Sequence, residues 1–464
     1  MTFPSPSSPV LDADVTESPS PNSDYAAHVN PQWVRLLDLL QMNERYVRCQ
    51  GAELFTAGGR RLLDFLSGYC VHNTGHNHPH IIQALQAELQ SSGPAMLQSH
   101  VPELAGTLAA ELCRRAGGQV NKVFFCSSGS EGVEAVIKFA RARTRREGLL
   151  YCAGAFHGLT CGALSLMGDS FWKQGFGPLL SGTKELPFND VAALERELKT
   201  RKHAAFIVEP IQGEAGIRLP HANYLRDAQA LCRRYGTLFV LDEVQTGLGR
   251  TGKFLAAQHF GVDPDMIVLA KALSGGLVPV AAVLMTDEVY ESVYDSLKRA
   301  IIHTSTYSEN SLAMRAGLAT LEVLDRENLA ERAQVLGEYL REQLAHALAD
   351  LEMVEGVHGM GLMCGIRFRA PGSIRLRVPY EAFRRVHGGM FGQMIVRRLL
   401  RDHGMLTQIC GNNFMVLKAA PPLVITQAQI DEFVLAVAAV LRDVHTSSAF
   451  WSDALSLARR AVNV

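Results

Sequence analysis

Six short, unbroken apolar runs separated by helical patterns constrain this chain more than any other feature. They lie at 123–126, 149–152, 205–208, 238–241, 266–269 and 281–284. Between most of them apolar residues recur at helical spacing, as Val133, Val136, Ile137 and Ala140 do at i, i+3, i+4 and i+7. A strand that is apolar on both faces must be covered on both. The pattern therefore predicts a mostly parallel central sheet with helices on both faces, an α/β fold.

The flanks read differently. Residues 1–29, rich in Ser, Pro, Asp and Asn, read as a disordered tail. Trp33, Leu36, Leu37 and Leu40 form the stripe of a helix over 31–40, and 51–66 reads as a hairpin turning at Gly58-Gly59. After residue 312, long helices and strands at 361–368 and 413–417 predict a smaller α+β domain. The resulting division is an N-terminal segment at 30–80, a large domain at 81–312, a small domain at 313–444 and an extension at 445–464. In that extension Phe450, Trp451, Leu455 and Ala458 predict an amphipathic helix docked on the body.

Bulk properties exclude more than they assign. A net charge of −1 and a pI of about 7.0 give no electrostatic footprint for nucleic acid or an anionic membrane. No apolar run is long enough to span a bilayer, and no secretory signal is visible. The nine cysteines are scattered without any CxxC pair, as expected of reduced thiols in a cytoplasmic protein.

Loops at the carboxyl ends of parallel strands bind ligands in such sheets, and four features fall there. Lys271 directly follows the run 266–269 and Ala270, with Ser274-Gly-Gly behind it. An ammonium at the end of a buried strand is costly unless it is put to use. The use that fits is a Schiff base with the aldehyde of pyridoxal 5′-phosphate; a surface lysine is the plain alternative. Ser128, Gly129 and Ser130, between strand and helix, suit a phosphate or a simple N-cap. Phe156, before His157 and Gly158, could stack on a flat ring or fill the core. Asp242 ends the run 238–241, where a carboxylate needs a cation, either a protonated pyridine nitrogen or a structural arginine. Gln245 could reach the ring's phenolic oxygen.

Together the segments 127–131 (Ser-Ser-Gly-Ser-Glu), 156–158 (Phe-His-Gly), 208–216, 241–252 and 270–276 resemble the class III pyridoxal-phosphate aminotransferases over about residues 31–442. The ornithine, acetylornithine and putrescine enzymes are the nearest subgroups. The resemblance implies a fold type I subunit acting as a homodimer, with its active site at the subunit interface. It implies Lys271 as Schiff-base lysine and proton shuttle, Asp242 on the pyridine nitrogen, Phe156 over the ring with His157 beside it, and Gly129 and Ser130 on the phosphate. Thr306 matches a threonine that reaches the phosphate from the partner subunit, although Ser308-Glu-Asn-Ser replaces the usual Gly-Gly-Asn-Pro after it.

Two motifs read as decoys. Gly247-Leu-Gly-Arg-Thr-Gly252-Lys253 matches GxGxxG and nearly a P-loop, but Phe254 stands where magnesium needs a hydroxyl and no helix pattern opens from it. His72, His76, His78 and His80 look like a metal cluster in a turn-rich segment that the family also carries without metal, so no metal is expected.

Departures from the family bear on the substrate. Leu159 stands where ornithine and acetylornithine aminotransferases carry a carboxylate-gripping arginine, while Tyr69 matches an aromatic of the ornithine pocket. Lys418 replaces an arginine that binds an oxo acid, facing Glu214. A lysine attracts a carboxylate as a point charge without the guanidinium fork. Leu159 with Leu164, Leu166, Met167 and Trp172 suggests a donor tail without negative charge. The expectation is amino transfer from an ω-amine, diamine or ω-amino acid to a 2-oxo acid such as 2-oxoglutarate or pyruvate. A lyase or racemase on the same fold is the alternative.

Overall fold

The structure is a computed structural model that describes residues 23–97, 99–386, 390–411 and 415–462. Most of the stretch read as a tail lies outside it, but Ser23–His28 is helical. The next helix, Pro31–Leu40, opens at Asn30, whose side chain accepts from the Trp33 N–H at 3.0 Å. Strands β1 (Tyr46–Gln50), β2 (Glu53–Thr56) and β3 (Arg61–Asp64) then form an antiparallel meander, with the expected hairpin as its second half.

The central sheet holds β4 (Lys122–Cys126), β5 (Gly148–Cys152), β6 (Thr183–Leu186), β7 (His203–Val208), β8 (Leu238–Asp242), β9 (Met266–Leu269) and β10 (Ala281–Met285). Their spatial order is β4-β10-β9-β8-β7-β5-β6. Strands β9, β8, β7, β5 and β6 run parallel, and β10 is antiparallel to both its neighbours. All six apolar runs are strands of this sheet. The alternation of side chains divides them between two cores: Leu149, Tyr151, Ile207 and Val240 meet the helix Gly129–Thr144, while Leu150, Phe206, Phe239 and Leu241 face the opposite core. Strand β6 was not expected, because Lys184 and Glu185 of this edge strand face solvent and interrupt the apolar pattern.

Helices Ser311–Arg326 and Leu329–Ala347 lead into a second sheet of β11 (Val354–Met360), β12 (Met363–Phe368), β14 (Gln408–Cys410) and β15 (Val416–Ala419), in the order β11-β12-β15-β14. The strand expected at 413–417 is β15, shifted later; residues 413 and 414 lie outside the described part. The pair β13 (Met405–Leu406) joins β3 in parallel and ties this region to the N-terminal meander. The extension forms the helix Ser448–Val462, which buries Phe450, Trp451, Ala454 and Leu457; the Ala458 side chain lies outside the description. Trp451 stacks on Phe391 and donates from Nε1 to Val444 O at 3.0 Å. Among the described residues no single helix is long and apolar enough to cross a membrane.

One local conformation departs from ordinary geometry. Ser67, Gly68, Tyr69 and Cys70, just after β3, have φ of 46°, 59°, 62° and 67°. The left-handed region costs a non-glycine residue about 1–2 kcal/mol, so contacts outside this turn have to hold it.

Candidate active site

The loops that follow β4, β5, β7, β8 and β9 open into one cleft of about 740 Å³. Their common position follows from the shared direction of these strands, the place where such sheets gather ligands.

After β4, Ser128 caps the helix Gly129–Thr144, its Oγ accepting from the Glu131 N–H at 3.2 Å. The Glu131 carboxylate turns back to the Ser127 N–H at 2.7 Å. Both accept from N–H groups at the helix start, while the Gly129 and Ser130 N–H groups find no protein acceptor among the described residues and border the cleft. A Cβ on Gly129 would meet Val244 at 3.0 Å, so glycine lets the helix start sit against the loop after β8. Such an open helix start could hold a phosphate.

At the end of β8, Asp242 accepts from the Val244 N–H at 3.1 Å through Oδ1 and meets His157 Nδ1 at 2.7 Å through Oδ2. Burial presses His157 towards neutrality, but the Asp242 carboxylate outweighs it and holds the imidazole above its usual pKa. Its Nε2 is buried without a partner. Glu209, after β7, accepts from the Phe156 and Gly213 N–H groups at 3.0 and 3.1 Å. Burial pushes its carboxyl up to about 7. The signal for Glu209 was present, a carboxylate directly after an apolar strand, but it was not counted among the expected site residues.

Lys271 adopts φ 47° just after β9, and its amine has no hydrogen-bond or ion-pair partner among the described residues. Burial lowers its pKa below the usual lysine value, against the opposing pull of Glu214 and Asp242. Phe156 lines the cleft edge-on to Trp172, with ring centres 5.6 Å apart. Unpartnered lysine, buried aspartate, aromatic wall and open helix start share one cavity, and that set fits pyridoxal 5′-phosphate.

The far wall carries Tyr69, Glu214, Gln245 and Gln408. Lys418 is fully buried behind it and does not border the cleft; its ammonium reaches Glu214 Oε1 at 2.7 Å. Burial would raise the Glu214 carboxyl, but the Lys418 charge overrides this and holds it down to about 2. Both ends of the Gln245 amide are taken inside the protein, Nε2 by Glu214 at 3.1 Å and Oε1 by Lys418 at 3.2 Å.

Several expected neighbours are elsewhere. Leu164, Leu166 and Met167, in the helix Cys161–Ser165 and the turn after it, are buried, and Leu166 shares a core with the helix Gly129–Thr144. Leu159 is 51% exposed and outside the cleft wall, so of that apolar group only Trp172 lines the cavity. Thr306 is exposed beside a second hollow bordered by Met96, His100 and His303. Among the described residues no three ligands come together as a metal site. His76, His78 and His80 instead pair with Asp64, Glu327 and Glu322. Residues 247–252 form turns, and Arg250 is buried.

Comparison with known proteins agrees with this geometry. The family model described as "Aminotransferase class-III" matches residues 40–441. The chain is 36% identical over 470 residues to "Aminotransferase PigE" of a Serratia species, covering 94% of this chain and 55% of that protein, so it spans about half of that relative's length. It is 36% identical over 385 residues to a putrescine aminotransferase of Pectobacterium atrosepticum, covering 81% of this chain and 77% of the relative. Among solved structures, an (S)-enantioselective omega-transaminase from Thermomicrobium roseum superposes with a TM-score of 0.79 at 29% identity, covering 91% and 97% of the two chains. The ornithine aminotransferase of Toxoplasma gondii gives 0.77 at 29% identity, covering 87% and 90%.

Proposed function

From the premise that this chain belongs to the class III aminotransferases, we propose that it moves the amino group of a primary amine to a 2-oxo acid. Its fold is that of the fold type I pyridoxal-phosphate enzymes, and pyridoxal 5′-phosphate is the family's cofactor. The observation that carries the reading is the unpartnered Lys271 amine in the same cleft as Asp242 and the open helix start. The relatives reported above are all aminotransferases or transaminases, so the lyase or racemase alternative draws no support from them.

When bound, the cofactor supplies an aldehyde carbon and an electron-withdrawing ring that stabilises negative charge on the amine's carbon. The chain's own groups do the rest. Gly129 and Ser130 would hold the phosphate through backbone N–H groups, and Phe156 would cover the ring. Asp242, oriented by His157, would face the ring nitrogen and keep it protonated. The lowered pKa of Lys271 leaves more of its amine unprotonated, as a nucleophile and then as a base for the donor's carbon-bound proton.

For the donor we favour a diamine. Tyr69 and Trp172 offer aromatic surface, Glu214 offers a carboxylate, and the described lining contains no arginine to grip a carboxylate tail. The acceptor's carboxylate would have Lys418 as its cation, once Glu214 turns aside. A homodimer is proposed because Thr306 stands outside its own cleft on a surface with exposed Leu97, Val101, Ile301 and Tyr307. A cytoplasmic setting accords with nine unpaired cysteines.

The test is the visible spectrum of protein loaded with pyridoxal 5′-phosphate as single amines are added without acceptor. Conversion of the lysine-bound absorption to that of the pyridoxamine form, fastest with putrescine and reversed by 2-oxoglutarate or pyruvate, is expected. Absorption that no amine converts would defeat the transaminase reading, and better conversion by acetylornithine than by putrescine would defeat the diamine.

A further inference from the structure

The left-handed turn Ser67–Cys70 carries Tyr69, which is 44% exposed on the cleft wall, while Ser67 and Cys70 on either side are buried. Strained backbone persists only where its surroundings over-determine it, and here they do. Asp64 Oδ1 accepts from the Leu66 and Ser67 N–H groups at 2.8 and 2.7 Å, and its other oxygen meets His76 Nε2 at 2.7 Å. Ser67 Oγ donates to Ala420 O at 2.6 Å and accepts from Arg250 Nη2 at 3.2 Å.

Arg250 is 0% exposed and forms no ion pair among the described residues. Its guanidinium is spent on Ser67 Oγ, Asn73 Oδ1 (2.6 Å), Leu362 O (2.9 Å) and Pro421 O. A buried guanidinium without a carboxylate is expensive. This one sits in the glycine-rich stretch that mimics a nucleotide motif, where Gly249 and Gly252, at φ +88° and +102°, bend the loop.

We propose that Arg250 and Asp64 are positioning residues for the donor: they hold the strained turn Ser67–Cys70 and thereby fix Tyr69 at the cleft wall. This rests on the reading of the cleft as an amine site. Neither residue borders the cavity, so both act through the turn. Asp64 ties the turn's N–H groups, and Arg250 ties its hydroxyl to Leu362 and Pro421 of the smaller domain.

The test uses the full chain loaded with pyridoxal 5′-phosphate and the variants Ser67→Ala, Arg250→Lys, Tyr69→Ala and Ser67→Ala/Tyr69→Ala. Ser67→Ala cuts the link with little loss of volume, so it serves if Arg250→Lys fails to fold. Amide exchange at Val71 and His72, which bond to Ser67 O, should quicken in Ser67→Ala and Arg250→Lys. Their kcat/KM for putrescine should fall, mainly through KM, by up to about 100-fold. The double variant should be no worse than Tyr69→Ala alone, because one effect runs through the other. Unchanged exchange, or losses that multiply in the double variant, would overturn the proposal. If the wild type converts no amine, the proposed function falls, and the exchange measurement still decides whether the clamp exists.

Discussion

Asp242 Oδ2 stands 2.7 Å from His157 Nδ1, with the two side chains 5% and 0% exposed. A carboxylate held this way presents its charge in one direction. Asp242→Asn should fold normally but slow the amine-driven half-reaction by at least about 100-fold, the scale of losing one preorganised charge contact. Single-turnover spectra check this, and an unchanged rate would count against the assigned role.

Among the described residues Lys271 is the only lysine that lines the cleft. Lys271→Ala should lose at least about 10⁴-fold in turnover, the upper range for a general base. The cofactor should remain bound through the open helix start. Steady-state assays with dialysis of the loaded variant measure both effects.

Glu214→Gln should destabilise the protein by roughly 3–5 kcal/mol, because it strands the fully buried Lys418 ammonium. Glu214→Leu with Lys418→Met should recover most of that loss, since a removed pair costs far less than a broken one. Denaturant titration separates the two outcomes. In the wild type the pair's contribution is present above the usual carboxyl pKa and is lost as pH falls towards about 2.

His72 titrates in the opposite sense to a salt-bridged histidine. Burial pulls its pKa down to about 4, helped by neighbouring His76. The unfolded chain takes this proton near pH 6.5 and the folded chain only near 4, so protonation favours unfolding. Stability should be intact above about 6.5 and fall by up to about 3 kcal/mol as pH drops to 4. Thermal midpoints against pH should show a flatter acid limb in His72→Asn.

Trp451 packs among Phe391, Tyr380, Phe383 and Phe450. Trp451→Ala should cost about 3–5 kcal/mol, typical of a large buried aromatic. Urea unfolding tests it. A change below 1 kcal/mol would mean that the C-terminal helix is not part of the core.

The central sheet was legible because strands buried on both faces need unbroken apolar runs; edge strand β6, with Lys184 and Glu185, offers no such run. Lys271, Asp242, Phe156 and Ser128 were legible for a related reason: each follows a recognisable strand end. What could not be read were side-chain directions. Leu159 reads as a pocket residue but is half exposed and does not line the cleft, while Lys418 reads as a pocket cation but lies behind Glu214. The turn at 67–70 gave no warning either, since Ser, Tyr and Cys are poor indicators of positive φ. Its side-chain partners are the local carboxylate of Asp64 and, from far along the chain, Arg250 and the Ala420 carbonyl.

The Arg250 contacts also bear on how the molecule comes apart. One guanidinium joins chain regions near residues 67–73, 362 and 421. None of these regions can open alone without abandoning a buried charge. The segment after β3, the loop after β8 and the residues that flank β12 and β15 should therefore open together, as one cooperative unit. Heat should melt them in a single transition, with the cofactor released in the same step.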